Sequence, residues 1–245
     1  MRKGNCNRLL EGSHESFYWL GFLLADAHFD NGKRLTISIQ DRDDNHLKKL
    51  SIFLGDVPMS KDNRYNQNKL SIMHTDVISE ICEKYSIIGN KTEFPVDISM
   101  LSEEQLLCLS IGFIDGDGSI GFQFKRKDVS IRIKCHSSWI DNLKLMYPQA
   151  KIKINNQGYC TANISNSIHV KELKKAAIKY DLPFMERKWD KIDLNFISKQ
   201  EKSKSNYKEI EKLLTVGKSI MQISDVLSMK YRTVYMAIRR SKINL

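Results

Sequence analysis

Two rhythms of apolar and polar positions run along this chain, a helical one and a strict alternation, and their succession occurs twice. In the first pass, residues 15–26 predict a helix, and Lys33-Arg-Leu-Thr-Ile-Ser-Ile-Gln40 alternates as a half-buried strand does. Asp43 and Asp44 are N-cap candidates for a helix reaching Leu54. Residues 59–65 and 69–74 predict a hairpin around 66–68, and Thr75 or Asp76 caps a helix to about residue 85. In the second pass, Ser102 caps a helix over 103–117, and strands over 121–125 and 129–135 form a hairpin. A helix over 138–147, strands over 151–154 and 159–164, and a helix over 168–180 complete it. Helix, two strands, helix, two strands, helix, written twice, predicts an α+β fold of two pseudo-symmetric αββαββα halves with antiparallel sheets. The expected domains are residues 11–96 and 97–195.

The alternation also sorts the strand residues by face. Lys125, Arg132, Lys134, Lys151 and Lys153 fall on polar-face positions of the second sheet, and Lys33, Ser38, Gln40 and Lys69 play that part in the first. A sheet with one apolar and one cationic face suits a DNA groove, where cations meet phosphates while Gln, Arg and Ser read base edges. Taken alone, such a face reads first as a solvated surface.

Beyond 195 the pattern changes. Residues 196–205 read as a polar linker, followed by an all-α module over 206–245 with helices at 207–216, 221–227 and 231–240. Ile210, Leu213, Leu214, Ile220, Ile223, Val226, Leu227, Val234 and Ile238 can form one small core. The order is similar to a helix-turn-helix of the resolvase or sigma-factor kind, in which Lys230, Tyr231, Arg232 and Tyr235 would face DNA. Charge supports a polyanion partner. The 245-residue chain carries 39 basic and 29 acidic side chains, and residues 198–245 hold 11 of the former against 4 of the latter.

Composition narrows the classes. At 41% apolar and 28% charged, the chain predicts a real core in a soluble protein, with no apolar run long enough to span a membrane and no signal peptide after Met1. Five cysteines without a C-x-x-C pair read as reduced thiols in a cytosolic protein, whether bacterial, phage-encoded or in an organellar matrix.

The two first helices also match residue by residue. Trp19-Leu-Gly-Phe-Leu-Leu-Ala-Asp-Ala-His28 and Ser110-Ile-Gly-Phe-Ile-Asp-Gly-Asp-Gly118 superimpose with an offset of 91, so that Gly21 meets Gly112, Ala25 meets Gly116 and Asp26 meets Asp117. Small residues four apart lie on one helix face and let two backbones approach closely. Packed together, the helices would bring Asp26 and Asp117 side by side. Each carboxylate there opposes its helix dipole and repels the other. A hard divalent cation would relieve both penalties.

The motif over 110–120 resembles that of the LAGLIDADG homing endonucleases, and residues 19–27 resemble a divergent first copy, with Leu24 in place of the usual first acid and Ala27 in place of the last glycine. Two copies in one chain are similar to the single-chain members. That resemblance implies a site-specific double-strand DNA endonuclease leaving 3′ overhangs, acting as a monomer on double-stranded DNA without an obligate protein partner. It implies metal at Asp26 and Asp117, with the carbonyls of Ala25 and Gly116 as further ligands. Mg²⁺ would serve by availability, and Mn²⁺ or Ca²⁺ could substitute in binding. It also places a polar residue at the end of the second strand, which Gln40 fits, with Lys134 its match in the second half and His136 close by; Lys69 is a further basic candidate. A non-catalytic DNA-binding regulator of the same fold and an intron-RNA maturase are the competing readings. A separate nuclease centre at Asp181 with Glu186-Arg-Lys188 is set aside here as a surface charge run.

Overall fold

The computed structural model describes residues 5–30, 32–87, 91–123, 128–197 and 199–241. The chain divides into two compact units, residues 1–194 and 195–245.

Two helices organise the larger unit. Helix α1 (His14–Asp26) starts where Ser13 Oγ accepts the Ser16 amide, and α4 (Glu103–Asp117) starts at a reciprocal capping box between Ser102 and Gln105. Both are buried along most of their length, as helices apolar on all sides must be. They touch at the glycines: a Cβ on Gly21 would lie 2.0 Å from the Leu109 carbonyl oxygen, and one on Gly112 would lie 1.9 Å from that of Tyr18. Only hydrogen fits at either place. Past the last aspartate each chain turns at once into extended backbone, at Ala27 (φ −82°, ψ 152°) and Gly118 (φ −85°, ψ 150°). The first motif's departures at Leu24 and Ala27 therefore leave the helix-end geometry unchanged.

Each motif helix leads into a four-stranded antiparallel sheet. The first contains β1 (His28–Asp30), β2 (Arg34–Gln40), β3 (Met59–Asp62) and β4 (Gln67–Ile72), in the order β1-β2-β4-β3. The second contains β5 (Gly118–Gln123), β6 (Asp128–His136), β7 (Lys151–Ile154) and β8 (Tyr159–Ile164), in the order β5-β6-β8-β7. The identical order confirms the duplication. Along β2, Leu35, Ile37 and Ile39 point into the core while Ser38 and Gln40 are exposed, which is the alternation read from sequence. Helices α2 (Asp44–Phe53), α3 (Thr75–Lys84), α5 (Ile140–Met146) and α6 (Ser167–Lys179) complete the two αββαββα halves.

Several expectations need correction. Strand β1 has three residues, too few to show an alternation, and its partner β2 starts at Arg34, leaving Lys33 exposed in the turn. Neither Asp43 nor Thr75 caps a helix through its side chain; residues 41–43 form a 3-10 turn ahead of α2, and His74 precedes α3. Residues 137–139 likewise form a 3-10 turn, so α5 begins at Ile140. Lys125 lies outside the described residues. A short helix α7 (Glu186–Trp189), unforeseen, follows α6.

The smaller unit holds α8 (Lys199–Thr215), α9 (Ile220–Val226) and α10 (Tyr231–Ser241), packed on Ile210, Ile223, Val234, Ala237 and Ile238. Of the stretch 196–205, expected as a linker, residues 199–205 form the first turns of α8. Its Lys, Gln and Glu are strong helix formers, and no Gly or Pro interrupts them. Among the described residues no helix is long and apolar enough to cross a membrane.

Candidate active site and nucleic-acid interface

The close contact of α1 and α4 sets the position of their last turns. A Cβ on Gly116 would fall 2.3 Å from the Ala25 Cβ and 3.4 Å from the Asp26 carboxyl carbon, so the second motif's glycine lies directly against the first motif's acid. Both aspartates reach solvent, yet each is flanked by enough protein for partial desolvation to act on it. Burial raises the Asp26 pKa, with the Lys188 and Lys91 ammonium groups opposing it. Asp117 is pushed up to about 7, first by burial and then by the Asp26 charge, again against Lys91 and Lys188.

Those two lysines are the residues that sequence reasoning missed. Lys91 Nζ donates to the carbonyls of Leu24 (2.6 Å) and Ala25 (2.9 Å). Lys188 Nζ reaches the carbonyls of Ile114 (3.2 Å), Asp115 (2.5 Å), Gly116 (3.1 Å) and Gly118 (2.8 Å). Neither motif helix has a basic residue in its own last turn, and these ammonium groups cover the orphan carbonyls and the negative dipole end instead. Burial lowers the pKa of both lysines. The run Glu186-Arg-Lys188 is therefore no surface charge run. Lys188 is buried, Arg187 grips Asp43 with two hydrogen bonds (2.7 and 2.9 Å), and Glu186 pairs with Lys49. The available signal was that Lys91 and Lys188 each follow their motif acid at a similar interval, 65 and 71 residues.

The acids open into separate cavities of about 380 Å³ each. One holds Asp26, Ser38, Gln40 and Gln67 of the first half together with Gly116 and Lys188 of the second. The other holds Asp117, Lys134, His136 and Tyr159 of the second half together with Ala25 and Lys91 of the first. Each cavity thus combines one motif's carboxylate with the other motif's carbonyl-bearing residue and lysine. Gln40 and His136 occupy equivalent strand ends, each the N-cap of a 3-10 turn; Lys134 stands two residues earlier, with its Nζ 5.2 Å from the Tyr159 ring centre.

Carboxylate and carbonyl oxygens form a donor set for a hard divalent ion. Among the described residues no group of three His, Cys, Asp or Glu is gathered. An ion would rest on one aspartate, one main-chain carbonyl and oxygens from water or a bound phosphate, which fits Mg²⁺ and its preference for retaining such ligands.

The outward faces of the two sheets continue from the cavities. In the second sheet, the cross-strand row Ser119–Arg132–Asn163–Lys151 runs beside the row Lys134–Thr161–Lys153, and Arg132 Nε donates to Asn163 Oδ1 at 3.2 Å. In the first, the rows are Ser38–Lys69–Ser60 and Gln40–Gln67–Asp62. In the smaller unit, Tyr231 and Tyr235 are exposed and stacked, with centroids 6.5 Å apart and planes 9° apart. Lys230 and Arg232 line a groove with Lys202, Met236 and Arg240.

No family model and no curated protein matches the sequence. Solved structures do. A LAGLIDADG meganuclease, I-AabMI, bound to uncleaved DNA, matches with 11% identity and a TM-score of 0.48, over 89% of this chain and 96% of that one. I-SmaMI, bound to an uncleaved DNA target in the presence of calcium ions, matches with 11% identity and a TM-score of 0.45, over 81% and 91%. The I-LtrWI LAGLIDADG homing endonuclease bound to target DNA matches with 13% identity and a TM-score of 0.42, over 98% and 99%. These matches include LAGLIDADG proteins by name, the family whose motif residues 19–27 and 110–120 resemble.

Proposed function

We propose that this chain is a site-specific, metal-dependent DNA endonuclease that cuts both strands. The observation that carries this reading is the pair of equivalent cavities, each with one helix-end aspartate beneath a polar sheet face. Asp26 and Asp117 with the carbonyls of Gly116 and Ala25 would hold divalent ions, Mg²⁺ by availability, which supply water activation and charge stabilisation at the scissile phosphate. The chain's own residues do the rest. The two sheets grip the duplex, with Arg132, Lys134, Lys151, Lys153 and Lys69 against phosphates and Gln40, Ser38 and Asn163 turned to base edges. Gln40 in one cavity and His136 or Lys134 in the other hold water near the phosphorus, and Lys91 and Lys188 steady the carbonyls beside each acid. One aspartate for each strand across a narrowed minor groove would leave 3′ overhangs, as the family resemblance implies.

The smaller unit acts as a second DNA-reading module, with Arg232, Tyr235 and Lys230 at a major groove. The competing reading, a DNA-binding regulator without catalysis, is disfavoured because both acids and both lysines are present. The test is incubation of the purified monomer with plasmid carrying its own gene-insertion junction, with and without Mg²⁺. Linear product only with metal is the expected result. Tight, specific binding without any cleavage in Mg²⁺ or Mn²⁺ would favour the regulator.

A further inference from the structure

One buried network is left unused by this mechanism. Asp115, two residues before the second motif acid, is 1% exposed and accepts three hydrogen bonds: from Tyr18 Oη (2.6 Å), the Met185 amide (2.9 Å) and Trp189 Nε1 (2.7 Å). Met185 and Trp189 bracket α7, and Lys188 lies between them. Asp115 therefore ties down both ends of the turn that carries Lys188. The Tyr18 proton is committed to the carboxylate, so the tyrosine oxygen must accept from His46 Nε2–H, 3.1 Å away. That leaves His46 Nδ1 as an acceptor, buried and without a side-chain or backbone partner among the described residues.

Among the described residues the first half shows no such network. Leu24 stands where Asp115 would, and Lys91 is held from elsewhere, by Trp139 Nε1 on the Lys91 carbonyl (2.8 Å) and Ser138 Oγ on that of Thr92 (3.0 Å). Lys188 lines the Asp26 cavity, whereas Lys91 lines the other.

We infer that Tyr18, through Asp115, is a positioning residue for Lys188 and so governs cleavage of the one DNA strand served by the Asp26 cavity. This rests on the endonuclease reading. Displacing a group by about 1 Å in such a site can cost on the order of 100-fold in rate. Lys188 lines the Asp26 cavity itself, whereas it reaches Asp117 only through the flanking Gly116 and Gly118 carbonyls and at longer electrostatic range.

The experiment follows each strand separately, using a duplex with distinct end labels that carries a site cleaved by the wild-type protein. Asp26→Asn first identifies the strand that depends on the Asp26 cavity. Tyr18→Phe, which keeps the ring and removes the donor, should then slow that strand at least tenfold and leave the other within about threefold, so that nicked DNA accumulates. Trp189→Phe, which removes a different donor to the same carboxylate, should do the same and guards against a folding defect peculiar to Tyr18. In a Lys188→Gln background, Tyr18→Phe should add little. Hydrogen exchange at the Met185 amide, measured without metal or DNA, should speed up in Tyr18→Phe. Equal slowing of both strands, or unchanged Met185 exchange, would overturn the inference while leaving the endonuclease reading intact. A wild-type protein that cuts no DNA would overturn that reading instead.

Discussion

The two halves repeat one topology yet solve the same electrostatic problem differently. In the first, the motif acid stands alone above Leu24, and its helix end is covered by Lys91 on two carbonyls. In the second, a buried acid precedes the motif acid, and Lys188 spans four carbonyls. The sheets differ as well. The second presents Arg132, Lys134, Lys151 and Lys153, while on the first Arg34 is already paired with Asp30 at 3.2 Å, and Asp62 shares the Gln40–Gln67 row. Duplication preserves backbone geometry more strictly than charge, because the glycine contacts leave no space whereas a solvated face tolerates any sign.

That comparison can be broken at several points. The largest effect is expected at the acids. Asp26→Asn and Asp117→Asn should each abolish double-strand cleavage while leaving folding intact, measured as linear product from a supercoiled target plasmid. If only one of them matters, the two cavities are not equivalent.

Next comes the helix contact. Gly112→Ala, pressed into the Tyr18 carbonyl, and Gly21→Ala, pressed into that of Leu109, should each destabilise by about 3 kcal/mol or more, the upper range for overpacking. Gly116→Ala meets the Ala25 Cβ at 2.3 Å but no backbone atom closer than the Phe22 carbonyl oxygen at 3.4 Å, and should cost less. Denaturant melts of the three variants, with m-values, settle the order.

The sheets come third. Neutralising Arg132, Lys134, Lys151 and Lys153 to glutamine should flatten the slope of log K against log salt by up to about 3.6, at about 0.9 for each phosphate contact. The same change at Arg34 and Lys69 should flatten it by less than about 1.8. Equal slopes would show that the two faces bear equally on the duplex.

The effect that is smallest at neutral pH concerns His46, a feature of the first half. Burial holds its pKa down to about 3, so the unfolded chain binds the proton first. The His46 contribution to stability is then fully present above the unfolded pKa near 6.5 and falls by about 1.4 kcal/mol per pH unit as pH drops from there toward 3, while the raised carboxyl pKa values of Asp26 and Asp117 oppose it. His46→Gln should remove that contribution, read as the difference between wild-type and variant thermal melts from pH 7 to 4.

Much of this was legible in the sequence wherever a pattern extends over enough residues. Helices α1 and α4 follow from their paired glycines and acids, and β2, β7 and β8 from alternation. Strand β1 escaped because only Phe29 of its three residues is buried. Lys188 escaped because its neighbours Glu186 and Arg187 are surface ion-pair partners, and a run of charges hides the one whose stem turns inward. Asp115 was visible as a motif letter, but its role depends on Tyr18, 97 residues earlier, and on Trp189, 74 later. No local pattern encodes such contacts.

The crossed assignment of the lysines has a consequence for anyone recombining such proteins. Lys91 follows the first half in sequence but lines the cavity of the second half's acid, and Lys188 does the reverse. A chimera that joins the first half of this chain to the second half of a relative would contain no site inherited whole from either parent. Both sites would be hybrids, each with an aspartate from one source and its lysine from the other. Halves that look like exchangeable cassettes by topology are, at the level of chemistry, interlocked.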